Sequence, residues 1–321
     1  MRALFTVPAA LAVIALHANA QCNPAIQTLV NEQKYDEARA EAQALIAKNA
    51  SDDVALHCMG RVYAAMDKAG DAAGWFEKAI KANDKVSAHH LWLANALGDQ
   101  AEHTNKLKLP FLARRVKSEF DKAAQLDPTS IDARHGLIAF YSQAPGVMGG
   151  SMDKAKEQAI EIGKLNAMRG HIEMGALLAR DKDVAGAERE YLAAVKAAPD
   201  SGVAYSRLAG FYGNQKKWAE ALAVQERLLA AKPDAVNAHL NIGWYLIQMK
   251  GDLERAEKEI KLWMAEPPKD APIPNKSFAH YALGRLYEEQ GKKDVARAEY
   301  QSAVTINPKN EDAKKALAAM K

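Results

Sequence analysis

Ala204-Tyr205-Ser206-Arg207-Leu208-Ala209-Gly210-Phe211-Tyr212, followed by Trp218-Ala219-Glu220-Ala221 and closed by Pro233, is the stretch on which the reading of this chain turns. Ala209 sits midway along a first helix, where a bulky side chain would push a second helix away. Ala221 makes the reciprocal contact from the second helix, Tyr212 fills the space left between the two, and Pro233 stops the second helix because its ring cannot continue one.

The same order recurs. The last copy reads Tyr281, Ala282, Leu283, Gly284, Tyr287, Gly291, Ala296, Tyr300, Ala303 and Pro308. Another reads Gly175, Leu178, Ala187, Tyr191, Ala194 and Pro199, and a fourth Gly60, Tyr63, Gly70, Ala72, Phe76 and Ala79. Across the chain the small first-helix residues are Gly60, Ala94, Gly175, Ala209, Gly243 and Gly284, and the small second-helix residues are Ala38, Ala72, Ala155, Ala187, Ala221, Ala256 and Ala296. Tyr63, Tyr212 and Tyr287 are the expected gap-fillers, and prolines 128, 199, 233, 268 and 308 the expected stops.

This spacing resembles the tetratricopeptide-repeat family, whose period is about 34 residues. The resemblance implies an all-α, right-handed superhelical solenoid of about eight helix–turn–helix units. They are expected at 19–52, 53–86, 87–130, 131–167, 168–201, 202–235, 236–276 and 277–310, with 311–321 forming a C-terminal capping helix over the last apolar face.

Composition agrees with closely packed helices. Hydrophobic residues make up 49% but aromatics only 7%, and alanine is the commonest residue, which lets helix axes approach and favours helix. A net charge of +3 with both signs interspersed offers no concentrated basic stripe, so nucleic acid is not an expected partner. The N-terminus reads as a leader: Met1-Arg2 is positive, Ala3 to Leu16 is apolar, and Ala18-Asn19-Ala20 places cleavage before Gln21, making 1–20 a signal peptide. The apolar run is short for a bilayer span and is interrupted by Pro8, and no later segment approaches the length of one. The expected location is periplasmic or secreted. In an oxidising compartment Cys22 and Cys58 form either a single disulfide or two buried thiols; by the repeat phase they lie on the first helices of adjacent repeats.

Three units are too long. The third carries extra residues around Gly98 to Ala113, including Lys106, Lys108, Pro110, Arg114 and Arg115, with the first helix expected to run to about Asn105. It reads as a basic protrusion or as a solvated loop. The fourth inserts Pro145-Gly146-Val147-Met148-Gly149-Gly150-Ser151, which lacks the Gly-Lys-Ser/Thr ending and preceding strand of a phosphate cradle. Its glycines permit a tight turn, Ser151 or Asp153 can cap the next helix, and Val147 and Met148 form a small apolar contact point. The seventh ends in Glu266 to Asn275, where four prolines favour a stiff, extended segment, read as a rigid spacer or as a partner-docking strap, and as the one expected break between sub-domains.

No motif carries chemistry. Neighbours His89 and His90 point about 100° apart on a helix and do not share a metal, and His90 falls at a core position. No catalytic residue, metal site or cofactor is expected. What the resemblance implies is a concave face drawn from the first helices: Arg61, Asn95, His135, Gln143, Asn214, Asn237, Trp244, Gln248, Tyr281 and Arg285, with His57, Asp99, Arg180, Ser206 and Glu288 beside them. Amides pair with extended backbone, and aromatic and arginine side chains dominate binding hot spots. The basic clamp by which chaperone-docking members of the family grip a terminal carboxylate is not reproduced. The expected function is a non-enzymatic protein- or peptide-binding scaffold of the cell envelope; the alternative is a periplasmic receptor for a small or glycan-like ligand seated near Trp244, Tyr281 and Arg285.

Overall fold

The computed structural model describes residues 22–102, 104–105, 108–268 and 273–320. The expected leader, Lys106 and the middle of the proline-rich segment lie outside the described residues. Among those described, every regular element is helical, and no helix is long and apolar enough to cross a membrane. The chain divides into two compact units, one ending at Leu165 and the other starting at Asn166. Unit 1 comprises α1 (Pro24–Asn31), α2 (Tyr35–Lys48), α3 (Asp53–Ala65), α4 (Ala69–Ala82), α5 (Ser87–Glu102), α6 (Leu109–Leu126), α7 (Ile131–Gln143) and α8 (Met152–Leu165). Unit 2 comprises α9 (Ala167–Arg180), α10 (Val184–Ala197), α11 (Gly202–Asn214), α12 (Trp218–Ala231), α13 (Val236–Gln248), α14 (Leu253–Ala265), α15 (Ile273–Glu289), α16 (Lys293–Ile306) and α17 (Glu311–Ala319).

Local chemistry sets the ends. Asp52, Ser130, Asn166, Ser201 and Asn310 accept from backbone N–H groups in the first turn of α3, α7, α9, α11 and α17, each satisfying a donor that the helix leaves orphaned. Pro128, Pro199, Pro233, Pro268 and Pro308 follow the ends of α6, α10, α12, α14 and α16. In six of the turns from a first to a second helix one residue takes positive φ. Gln33 and Asp67 occupy this place 34 residues apart, as do Lys182, Lys216 and Lys250, and Gly291 takes it between α15 and α16.

Each unit is held by neighbouring helices packed in chain order. Gly60 on α3, Gly243 on α13 and Gly284 on α15 lie so close to the following helix that a Cβ there would stand 2.5 Å from Phe76, Ile260 and Tyr300 respectively. Gly175 meets Tyr191 in the same way at 3.2 Å, and Gly136 on α7 meets Phe120 of the preceding α6. These ring and isoleucine side chains, all buried, fill the space between paired helices. The tyrosines expected there divide differently. Tyr63 stacks on Trp75 of its own pair, whereas Tyr212 and Tyr287 donate from their hydroxyls to Glu188 and Glu257 on the preceding second helix. Their polar ends require a partner, and the carboxylates lie outside the pair.

A second regularity accompanies the first. His90, His171, His239 and His280 each pair through Nδ1 with Glu119, Glu190, Glu259 and Glu299, at 2.6, 2.7, 2.5 and 2.7 Å. In each case the glutamate directly precedes the residue that packs into the glycine gap or, at Glu119, against Gly136. His90 is therefore structural.

The long units depart from expectation in three details. Helix α5 ends at Glu102, short of Asn105, and Pro110 lies in the first turn of α6, where a missing N–H costs nothing. The segment after α14 is not extended as far as Asn275, because α15 begins at Ile273 and takes Pro274 into its first turn for the same reason. The compact units also do not separate there. Leu240, Ile242, Trp263 and Tyr300 belong to one core spanning α13 to α16, and Leu317 and Met320 of the chain's last turns pack against it.

The glycine contacts generate a paired expectation. Gly284→Ala should destabilise the protein by about 1–3 kcal/mol, since the added methyl collides with a ring that has nowhere to move. Gly210→Ala, where a Cβ meets nothing within 4 Å, should gain up to about 1 kcal/mol from helix propensity. Urea unfolding of the two variants beside the parent would show opposite shifts in midpoint.

Candidate functional site

Helices α13 and α15 bring the aromatic and cationic groups of unit 2 together. The Trp244 ring lies 5.1 Å from Phe278 and 5.9 Å from Tyr281 between centroids, Phe278 and Tyr281 are 6.2 Å apart, and Tyr281 stands 5.9 Å from Tyr300. Trp244, Phe278 and Tyr281 are half-buried, so each presents part of a ring face to solvent, while Tyr300 closes the floor. Phe278, Tyr281 and Arg285 follow one another at helical spacing along one face of α15. Arg285 lies 3.5 Å through Nε from Glu288, whose other role is to accept from the Tyr300 hydroxyl at 2.7 Å. Burial and then this carboxylate push the Tyr300 hydroxyl well above the usual phenol range, so it stays a donor. The cluster offers aromatic faces and a guanidinium side by side.

The remaining expected residues of unit 2 have varied surroundings. Asn214 and Gln248 are the last residues of α11 and α13, the former exposed and the latter half-buried. Asn237 is exposed, yet its Oδ1 already accepts from the indole N–H of the buried Trp263 at 2.9 Å. Phe278 and Tyr300 were not expected at the site. The i, i+3 relation of Phe278 to Tyr281 was present in the sequence as a signal.

In unit 1, Arg61 is fully engaged. Its guanidinium lies 3.9 Å above the Trp92 ring and donates to Gln27 at 2.8 Å, linking α1, α3 and α5. Asn95, His135 and Gln143 are exposed, and Asn95 and Gln143 border a common cavity. Cys22 and Cys58 are joined as a disulfide with their Cα atoms 5.0 Å apart, fixing the segment that leads into α1 to α3. The Asn23 N–H also donates to Cys58 Sγ at 3.2 Å.

His57, expected on the concave face, is instead fully buried. It belongs to a relay in which Asp53 Oδ2 lies 3.0 Å from His89 Nε2, and His89 Nδ1 lies 3.1 Å from His57 Nδ1. The carboxylate accepts from His89, the other His89 nitrogen therefore accepts from His57, and His57 Nε2 is left as a buried lone pair. Repeat phase alone did not separate His57 from half-buried Arg61 one turn on, because the burial comes from Phe76 and Trp92 closing over it. Neighbouring Cys58 is committed to the disulfide, so the relay has no adjacent free thiol to activate. Among the described residues no cluster of three or more His, Cys, Asp or Glu is arranged to hold a metal ion.

Family models described as tetratricopeptide repeat match residues 211–271 and 277–310. A crystallised tetratricopeptide repeat protein from Parabacteroides merdae superposes with a TM-score of 0.54 at 15% identity, over 87% of this chain and 98% of that one. The chain is also 31% identical over 149 residues, 44% of its length, to the cellulose synthase operon protein C of Xanthomonas axonopodis pv. citri. It spans 9% of that relative's length.

The buried relay makes stability depend on acidity. Burial, then His89 and Arg61, push His57 from its ordinary 6.5 down to about 3, and burial likewise lowers His89. Above the unfolded value neither state is protonated and His57 contributes nothing to the pH dependence. As pH falls below 6.5 the unfolded chain takes up a proton that the folded chain refuses. Stability should therefore drop by up to about 1.4 kcal/mol per pH unit on account of His57 until pH nears 3. Urea midpoints measured from pH 7 to pH 4 should fall less steeply for His57→Leu than for the parent; parallel profiles would show that the relay does not resist protonation.

Proposed function

The chain is a tetratricopeptide-repeat protein, and from that premise we propose that it is a non-enzymatic scaffold that holds a protein or peptide segment in the cell envelope. The eight repeat units expected from the sequence form its frame. The observation that carries the reading is the half-exposed Trp244–Phe278–Tyr281 cluster beside Arg285. Aromatic and arginine side chains supply most of the energy of protein interfaces when they share a partly desolvated pocket. The exposed amide of Asn214, at the end of α11, would supplement such anchors by pairing with extended backbone.

Export is part of the same proposal. It rests on the leader-like reading of 1–20 and on the disulfide, which persists in oxidising compartments and is rare in the cytosol. The relative encoded in a cellulose synthase operon is consistent with an envelope setting. It also bears on a second reading, a receptor for a glycan-like ligand. Half-exposed rings such as Trp244 and Tyr281 suit the apolar faces of sugars as well as they suit peptide side chains.

Crosslinking in the native envelope, followed by affinity recovery, tests the first reading. Parent protein should recover a defined partner that Trp244→Ala with Arg285→Ala loses, each anchor costing about 2 kcal/mol, or roughly thirtyfold in affinity. Equal recovery by a variant of intact helicity would reject this site. Calorimetric titration with soluble glucan oligosaccharides separates the second reading, which requires binding by the parent and none by the variant.

A further inference from the structure

Unit 1 contains an apolar cavity of about 510 Å³ that the scaffold reading does not use. Its size falls within the range of roughly 300–1,000 Å³ typical of small-molecule sites. Its space comes from the departures in the long third and fourth units. Gly98 on α5 leaves an opening where a Cβ would meet nothing within 4 Å, and buried Phe120 of α6 and Phe140 of α7 form aromatic walls.

The Gly-rich insert supplies the remaining wall, and it is built to do so. Met148 lines the cavity from a 3-10 turn, Gly146–Met148. Its N–H donates to Pro145 O at 2.8 Å, Gly150 N–H returns to the same oxygen at 3.2 Å, and Ser151 N–H closes onto Tyr141 O at 2.9 Å. Gly149 adopts φ 97°, and at Gly150 a Cβ would fall 1.8 Å from Ala144 O, so neither position accepts a side chain without rebuilding the turn. These constraints place one residue, a flexible and polarisable methionine that moulds itself to varied apolar shapes. Val147, the other apolar residue of the turn, is 94% exposed.

The polar groups select among ligands. Asn95 and Gln143, both exposed, stand where the cavity meets solvent, and exposed Asp99 of α5 lines it as well. Amides donate and accept without carrying charge. Among the described lining residues there is no lysine, arginine or histidine to compensate an anion. The polar groups are confined to the edge, where a bound peptide would need them along its length.

We propose that this cavity is a binding site for a neutral small molecule with an aliphatic or aryl body and one hydrogen-bonding end, held between Phe120, Phe140 and Met148 with its polar end at Asn95 and Gln143. The site is independent of the aromatic cluster in unit 2. The probe is N-phenyl-1-naphthylamine, which is neutral, apolar and carries a single N–H, titrated into the full chain and followed by its fluorescence. Saturable one-to-one binding is expected. Gly98→Leu places a side chain in the open space while favouring helix, and should weaken binding at least about tenfold with helicity and melting unchanged. Ala113→Leu, which fills the cavity from α6, serves if the first variant fails to fold. The same fluorophore bearing a sulfonate beside the N–H, 8-anilinonaphthalene-1-sulfonate, should bind at least about tenfold more weakly, because that edge of the cavity carries the Asp99 carboxylate and no described lining residue is cationic. Absence of saturable binding, parental affinity in the folded cavity-filling variant, or equal affinity for the sulfonate would each overturn the proposal.

Discussion

The close approach of a ring on one helix to a residue without a side chain on its neighbour is the contact on which this structure depends. Gly60 against Phe76, Gly175 against Tyr191 and Gly284 against Tyr300 bring helix axes together at the same relative height each time. A large side chain on one side and none on the other leaves a single way for the pair to close, which fixes rotation as well as distance. The His–Glu pairs follow from that geometry. With the ring seated, the preceding glutamate is turned towards a histidine one turn before the glycine, so the polar contact reports the register that the apolar one imposes.

The α11–α12 pair departs furthest from the rule. Ala209 takes the place of the glycine and Gln225 that of the ring, and Gln225 is fully buried with neither amide atom hydrogen-bonded among the described residues. A buried unsatisfied amide costs about 1–3 kcal/mol. The surrounding core of Tyr191, Tyr205, Leu208 and Phe211 offsets this loss through apolar burial. The α11–α12 pair therefore combines the clearest small-residue pattern in the sequence with the least satisfied interior. Local pattern and local energy are separate properties.

That separation explains how much could be read beforehand. Helix order, the small residues and the proline stops were legible because each reflects a steric condition acting within one or two turns. The ring partners were present in the quoted copies, but assigning the gap to Tyr212 and Tyr287 failed because a hydroxyl's need for a partner is met outside the pair. The same limit applied to His57. Its place relative to Gly60 resembles an exposed position, and only Phe76 and Trp92, from α4 and α5, make it an interior residue. At the aromatic cluster, Trp244, Tyr281 and Arg285 were grouped from the sequence; their meeting with Tyr300 required the packing of α16 against α15.

The inserted glycines show what a departure from a repeat can accomplish. A repeat with a short turn would bring α7 and α8 together directly and leave no third wall beside α5 and α6. Lengthening that turn without order would add entropy and no surface. The insert instead has its backbone donors tied to Tyr141 and Pro145, and tolerates no Cβ at Gly150. Conformational freedom has been removed from seven residues in order to hold one methionine over an apolar space. Such a sacrifice is difficult to reconcile with a passive connector, since two glycines and a cap suffice to turn a chain between antiparallel helices. The constraint in the backbone is what distinguishes a wall from a loop.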